Sequence, residues 1–236
     1  MSSHLVRGVP LPDAVGGHPA LDFCNTRAGW GSATPKEYLT SAHALALWAA
    51  DAGLAPWPDD AGEHPEGDHA EGDPAGGDQA EGDRAGGGSA EALRRALTLR
   101  EALYRCALGT AAEADWRHLS REAAAARGAS TLVPGPDATA VWVLDGGRSP
   151  RTRADAARFA LHAAAAAAEH LVTSPLAGCV KACPGTGCGW LFADPRRRRR
   201  WCSMAVCGNR AKARRHAERR QDDQLRHELL MDSDRS

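Results

Sequence analysis

The sequence predicts an α+β fold: a mostly helical N-terminal domain with a small antiparallel sheet, then a small four-cysteine module with a hairpin and a basic helix. Three observations carry this expectation. Apolar and alanine residues recur at helical spacing through most of residues 34–172. Two short apolar runs, Thr131–Pro134 and Thr139–Leu144, flank a Gly135-Pro136-Asp137 turn and read as a strand pair. Two cysteine pairs of equal internal spacing, Cys183-x4-Cys188 and Cys202-x4-Cys207, lie close together near the end of the chain.

With 236 residues, 43% of them hydrophobic, there is room for one medium domain and a small module. No apolar run approaches the ~20 residues that span a bilayer, and Met1 to Leu11 lack the apolar core of a secretion signal. No membrane partner is expected, and the expected location is cytoplasmic.

Taken in order, residues 1–12 read as a loose lead-in, and the first domain is expected over 14–178. Gly17 to Thr26 is a short apolar stretch broken by Asp22 and Asn25. These two are candidates for a ligand pocket, and more readily for satisfying backbone amides in a turn or cap. Thr34, Pro35 and Glu37 have the pattern of an N-cap, a first-turn proline and a capping-box glutamate. A helix is expected over Ser41 to Ala52, with Leu45, Trp48 and Ala49 on one face and Gly53 as its stop.

Residues 56–89 change character. Four five-residue units such as Glu66-Gly-Asp-His-Ala follow one another, and ten acids fall between Asp59 and Asp83. A period of five with nothing larger than alanine offers no face to stack, so this is an acidic low-complexity insert without regular structure, tolerated because long insertions add little closure entropy. Its aspartates fit no calcium-loop spacing.

Helical periodicity resumes over Ala90 to Ala112, with Leu93, Leu97, Tyr104 and Leu108 spaced for a core face, and again from Ala112 to Arg127. After the strand pair, Arg153 to Val172 is rich in alanine, the strongest helix former. The helices show no nucleophile, acid/base pair or phosphate loop, so no enzyme is expected. Cys24, Cys106 and Cys179 read as packing residues, with a spare or redox-active thiol as the alternative for Cys179, which lies close to the four-cysteine module.

The four remaining cysteines, Cys183, Cys188, Cys202 and Cys207, read as ligands of one structural zinc ion. Tetrahedral coordination needs two close pairs of thiolates joined by a short loop, and four cysteines close the coordination shell against catalysis. Disulfides are disfavoured where thiols are kept reduced. Gly189 to Phe192 is expected as a strand, Ala193-Asp194-Pro195 as a turn, and the arginine run to Trp201 as the returning strand. Trp190, Phe192 and Trp201 would supply a small core.

Between Cys183 and Arg220 there are eleven arginines and lysines against two acids, while the whole chain has a net charge of −1. Because 26 of the 29 basic residues are arginine, the clustering is the signal and the residue type alone is not. Such a local field attracts polyanions. Arg196, Arg197, Arg198, Arg199 and Arg200 are the expected phosphate contacts. The segment after Cys207 lacks glycine and proline from Asn209 on and reads as a helix, with Arg210 and Arg214, and Arg215 and Arg219, one turn apart. Asn209, Arg210, Lys212, Arg214 and Arg215 are the candidate base readers. Trp190 and Trp201 are expected to be buried against the metal loops rather than stacked on bases. Leu225, Leu229 and Leu230 form a short apolar row beyond the module, which is expected to end near residue 220, and Asp232 to Ser236 a frayed tail.

The run Arg200 to Arg210 resembles the CGNR zinc finger, named for the residues that stand here as Cys207, Gly208, Asn209 and Arg210. Cys183, Cys188, Trp190, Phe192 and Asp194 fall where that family's pattern expects them. One departure is visible: Asp194 is followed at once by Pro195 and arginines where a longer, serine-containing turn is expected. Upstream, Leu21, Asp22, Asn25, Thr26, Tyr38, Leu39 and Trp48 resemble scattered positions of the ABATE domain, which precedes the finger in the same family. The resemblance implies a bacterial stress-induced transcription regulator whose finger binds DNA. Duplex DNA is therefore the expected partner, with RNA or a protein as alternatives. A homodimer is expected from the few base pairs that one small module can read. The sequence identifies no small-molecule effector.

Overall fold

The computed structural model describes residues 2–58, 78–137 and 139–233. Most of the acidic insert (59–77) lies outside the described residues, as do the end of the expected tail (234–236) and the side chains of Leu225, Leu229 and Leu230.

The centre of the body is the alanine-rich helix Arg153–Val172, which is buried nearly all round. The chain opens with a hairpin of β1 (Ser3–Val6) and β2 (Val9–Pro12). The loose lead-in is thereby corrected: Arg7 and Gly8 take positive φ of 46° and 81°, the geometry that joins two strands through a two-residue turn. Val6 and Leu11 bury their side chains in the core.

Next comes α1 (Pro19–Asn25), with proline at its first turn and His18 as its N-cap; the His18 ring accepts from the Ala20 amide at 3.2 Å. A small ladder of β3 (Arg27–Ala28) and β4 (Lys36–Glu37) follows. The helix expected at Thr34–Glu37 is absent. Tertiary electrostatics outweighs the local capping pattern: Glu37 turns its carboxylate to the buried guanidinium of Arg100, with contacts of 2.7 and 2.5 Å, and to the Leu39 amide at 2.8 Å. The cap is supplied later by Ser41, whose hydroxyl accepts from the Ala44 amide at 3.1 Å and starts α2 (Ala42–Asp51).

The long helix α3 runs Asp78–Ala107. It starts twelve residues ahead of the expected Ala90, inside the low-complexity stretch. Once the Ala90–Ala107 part is held by packing, each added residue extends an existing helix and avoids the cost of nucleation. Helix α4 (Glu113–Gly128) packs beside it through two bidentate ion pairs, Arg95 with Glu122 at 3.1 and 2.7 Å and Arg105 with Asp115 at 2.9 and 2.6 Å. Arg105 holds the Asp115 carboxyl down at about 2.

The expected hairpin is found as β5 (Ser130–Pro134) paired antiparallel with β6 (Ala140–Leu144). The Thr152 hydroxyl then caps α5 (Arg153–Val172) by accepting from the Asp155 amide at 3.0 Å. Alanines at 156, 157, 160, 163, 164, 165 and 168 are buried, and α1, α2, α3 and α4 pack around them. Small side chains let these neighbours approach closely, and a helix with apolar residues over most of its circumference belongs in a core.

The last part contains β7 (Val180–Ala182), β8 (Leu191–Ala193), a wide turn over Met204–Gly208 and α6 (Asn209–Ser233). Strand β8 forms as expected, but its partner is β7, on the N-terminal side of the first cysteine pair. The returning strand expected from the arginine run is corrected. After β8, the Asp194 carboxylate accepts the amides of Arg198 and Arg199 at 2.8 and 3.2 Å and Arg197 takes a φ of 52°, so the arginines are wound into a turn.

Candidate metal centre and basic surface

The hairpin β7–β8 places Cys183 and Cys188 in its connecting loop, and the Met204–Gly208 turn brings Cys202 and Cys207 to them. The Cys183 amide donates to Trp190 O at 2.8 Å and the Cys188 amide to Gly185 O at 2.9 Å, fixing the first pair; the Cys207 amide donates to Ser203 O at 3.0 Å, fixing the second. All four side chains are buried, and their sulfurs lie within 4.8 Å of one another. Cys202 Sγ is 3.7 Å from both Cys188 Sγ and Cys207 Sγ.

These distances test the zinc expectation. A tetrahedron with Zn–S of 2.3 Å has sulfur–sulfur edges of about 3.8 Å, whereas a disulfide needs about 2.05 Å. The donor set, its burial and its spacing therefore fit one structural zinc ion. The electrostatics agree. Without a cation, Cys183, Cys188 and Cys202 compete for negative charge: hydrogen bonds from Cys188 and Cys202 draw Cys183 down, while hydrogen bonding to Cys183 pushes Cys188 and Cys202 up. A divalent ion removes that conflict by stabilising four thiolates at once. Gly185 admits the close approach, since a Cβ there would sit 3.1 Å from Cys207 Sγ and 3.5 Å from Cys183 Sγ. Cys24 and Cys106 lie outside this cluster, and burial pushes both thiols up, Cys106 to about 11.

Strand β8 divides two cores. Trp190 and Phe192 face the cysteines, with Ala28 and Tyr38 of the body completing that cluster, while Leu191 and Ala193 belong to the main hydrophobic core. Polar contacts strengthen the joint. The Asn25 carboxamide pairs with both backbone groups of Leu191, the Tyr104 hydroxyl donates to Gly189 O at 2.8 Å, Trp190 Nε1 donates to Arg27 O at 3.0 Å, and the Ala193 amide donates to Gly16 O at 2.8 Å. Trp30 stacks on Tyr104 with ring centres 3.8 Å apart. Sequence reasoning named none of Gly16, Trp30 or Tyr104 for this joint, and no local pattern marks them; they meet the module only through the fold.

The candidate ligand-pocket pair is engaged structurally. Asp22 accepts the amides of Val15 at 2.9 Å and Gly16 at 2.7 Å; burial pushes its carboxyl up, and those amides and Arg199 pull it back. Asn25 is fully buried in its pairing with Leu191. Asp22 therefore ties the turn ahead of α1 and Asn25 clamps β8 to the body, and a pocket built on them is corrected.

The arginine run divides. Arg196, Arg197, Arg198 and Arg200 are exposed, with Arg200 lying 5.3 Å over the Trp201 ring. Arg199 is different, and its assignment as a phosphate contact is corrected. Its guanidinium donates to Val15 O at 2.8 Å and Cys202 O at 2.5 Å and covers Phe192 at 4.7 Å. Asp194 anchors the turn from below, its carboxyl held down by Lys181 at 2.7 Å and by the Arg199 and Arg198 amides.

In α6, Arg210, Lys212 and Arg215 are exposed; Asn209 is exposed too, although its side-chain amide donates to Ala205 O at 3.1 Å. Arg214 reaches the Thr186 hydroxyl and lies 3.5 Å from Glu218. Arg210 and Arg214 line a notch of about 250 Å³ with Thr186 and Trp201, directly beside Cys207. From Lys212 to Gln224 every residue of α6 is exposed. Among the described residues no helix is long and apolar enough to cross a membrane.

Comparison with protein families agrees with this division. Residues 180–220 match the model of the CGNR zinc finger, and residues 17–175 match that of ABATE, described as "Putative stress-induced transcription regulator". No curated protein matches the chain. The chain belongs to the ABATE family, with a CGNR zinc finger following its body.

Proposed function

We propose that the protein is a zinc-dependent, DNA-binding transcription regulator, and that the finger and α6 dock on duplex DNA. The observation that carries this reading is α6 itself. A helix exposed on all sides over Lys212–Gln224 gains little from tertiary burial, and it carries Arg215, Arg219 and Arg220 away from the body. Beside its start, the Arg210–Arg214 notch and the exposed Arg196–Arg198 turn add cations on the zinc-bound framework. Arginines so placed suit bidentate contact to phosphate or guanine. Zinc would act by holding the arginine turn and α6 in one orientation, and the body would sense a signal or mediate assembly.

The test is binding of the zinc-loaded protein to a random duplex DNA pool across a salt series, with Cys202→Ser as control. About five phosphate contacts give a slope of log K against log salt near −4 to −5. The control should lose binding. A flat salt response overturns the DNA reading, and stronger binding to hairpin RNA than to duplex DNA replaces it with an RNA one.

A further inference from the structure

At the N-terminal end of α1 lies a second site that the DNA reading does not use. The β5–β6 hairpin leans over α5 and leaves an open cavity of about 740 Å³ between them. On the hairpin side it is lined by Trp142, Val143 and Leu144; on the helix side by Phe159, Ala163 and Ala167. The space has a direct cause in the sequence, because where the hairpin offers large apolar side chains α5 answers with alanines. Trp142 remains 52% exposed at the cavity wall.

The polar groups at the rim set the charge of a complementary ligand. Arg127 is bound by Glu169 at 2.9 and 2.7 Å and lies 4.6 Å over the Trp142 ring, so that pair is neutral overall and stiffens the aromatic wall. His18 and His170 stack with ring centres 5.3 Å apart and share a hydrogen bond of 3.0 Å. Since His18 Nδ1 accepts from the Ala20 amide, its Nε2–H donates to His170, and the pair is neutral. Arg148 remains. Its exposed side chain makes no hydrogen bond or ion pair among the described residues, although Asp145 and Asp155 line the adjoining groove with it, so it brings a positive charge with open donors to the rim.

We propose that this cavity binds a small aromatic carboxylate, its ring against Trp142 and the alanine face of α5 and its carboxylate on Arg148. The volume falls within the range of small-molecule sites, and apolar walls with few fixed polar groups are their usual composition. The binding claim stands independently of DNA recognition; only its use as a signal rests on the regulator reading. His18 lines the cavity and caps α1, which carries Asn25 to the finger, so an occupant would touch the element that holds the finger in place.

The experiment is isothermal titration of the full-length, zinc-loaded protein with benzoate, indole-3-acetate and the corresponding amides, without DNA. At least one acid should bind saturably, and its amide about tenfold or more weakly, as expected for loss of a charge-assisted hydrogen bond. Arg148→Ala, on an exposed turn, should reduce the affinity for the acid to that for the amide. Ala167→Trp, confirmed folded by circular dichroism, should fill the cavity and abolish binding. Saturable binding by none of the four probes, or binding undiminished in Ala167→Trp, overturns the site. Equal binding of acid and amide, or no effect of Arg148→Ala, overturns the carboxylate assignment.

Discussion

Asn25 grips Leu191 by both backbone groups: its carboxamide oxygen accepts the Leu191 amide at 2.8 Å, and its nitrogen donates to the Leu191 carbonyl at 3.0 Å. The pair joins positions 166 residues apart in sequence, and both partners are fully buried. Removing the carboxamide strands a peptide N–H and C=O where water does not reach. Asn25→Ala should therefore cost about 2–4 kcal/mol, and Asn25→Asp, which keeps an acceptor but loses the donor, should also destabilise. Urea denaturation followed by far-UV circular dichroism measures both; a loss below about 0.5 kcal/mol for Asn25→Ala would refute the clamp.

The two cores divided by β8 predict that metal and body are thermodynamically linked. If zinc contributes even about 3 kcal/mol to the shared unit, its removal lowers the melting temperature of a chain this long by about 6–12 °C. Calorimetry of the zinc-loaded protein, with and without a chelator, and of Cys202→Ser should show this shift in the main helical transition. A body transition unmoved by metal loss would mean that the finger is merely tethered.

Five consecutive arginines look alike in sequence, and their environments separate them. Arg199→Ala should destabilise by about 1–3 kcal/mol, because Val15 O and Cys202 O lose a charged donor and Phe192 loses its cover. Arg198→Ala, at an exposed position, should stay within about 0.5 kcal/mol of wild type and instead reduce the salt slope of DNA binding by about one. Stability and binding measured on both variants test the division; equal stability losses would refute it.

The same contrast shows what was legible in the sequence. The cysteine pairs reveal themselves because metal geometry acts over a few residues, and α2, α4, α5 and the β5–β6 hairpin because periodicity and turn chemistry are local. The partner of β8 is hidden, since β7 offers only Val180-Lys-Ala182 and the pairing is decided by which strand places Cys183 beside Cys188. Thr34–Glu37 misleads for a related reason: its capping pattern is worth about 1 kcal/mol, and a buried Arg100 outbids it. Gly189 gives a direct test of such hidden constraints. Its φ is 69°, and a Cβ would come within 2.7 Å of Trp30 Cβ. Gly189→Ala should destabilise by well over the ~1 kcal/mol of backbone strain alone, with partial loss of zinc affinity. Chelator competition and thermal melts check both effects.

His162 predicts a pH dependence distinct from that of the thiolates. Burial in α5 holds its imidazole below the usual value of 6.5, with Arg158 and Arg95 opposing protonation and Asp145 and Glu122 partly offsetting them, and its Nδ1 has no hydrogen-bond partner. The unfolded chain therefore takes up the proton more readily than the folded one. The stabilising contribution is complete above pH 6.5 and is lost as the pH falls below that value. Melting temperatures from pH 8 to pH 5 should decline, and His162→Gln, which cannot titrate, should flatten the part of the decline that begins near pH 6.5. Zinc release by thiolate protonation would persist in that variant, so metal content measured alongside separates the two. An identical pH profile in His162→Gln would assign the acid sensitivity to the cysteines or to other groups.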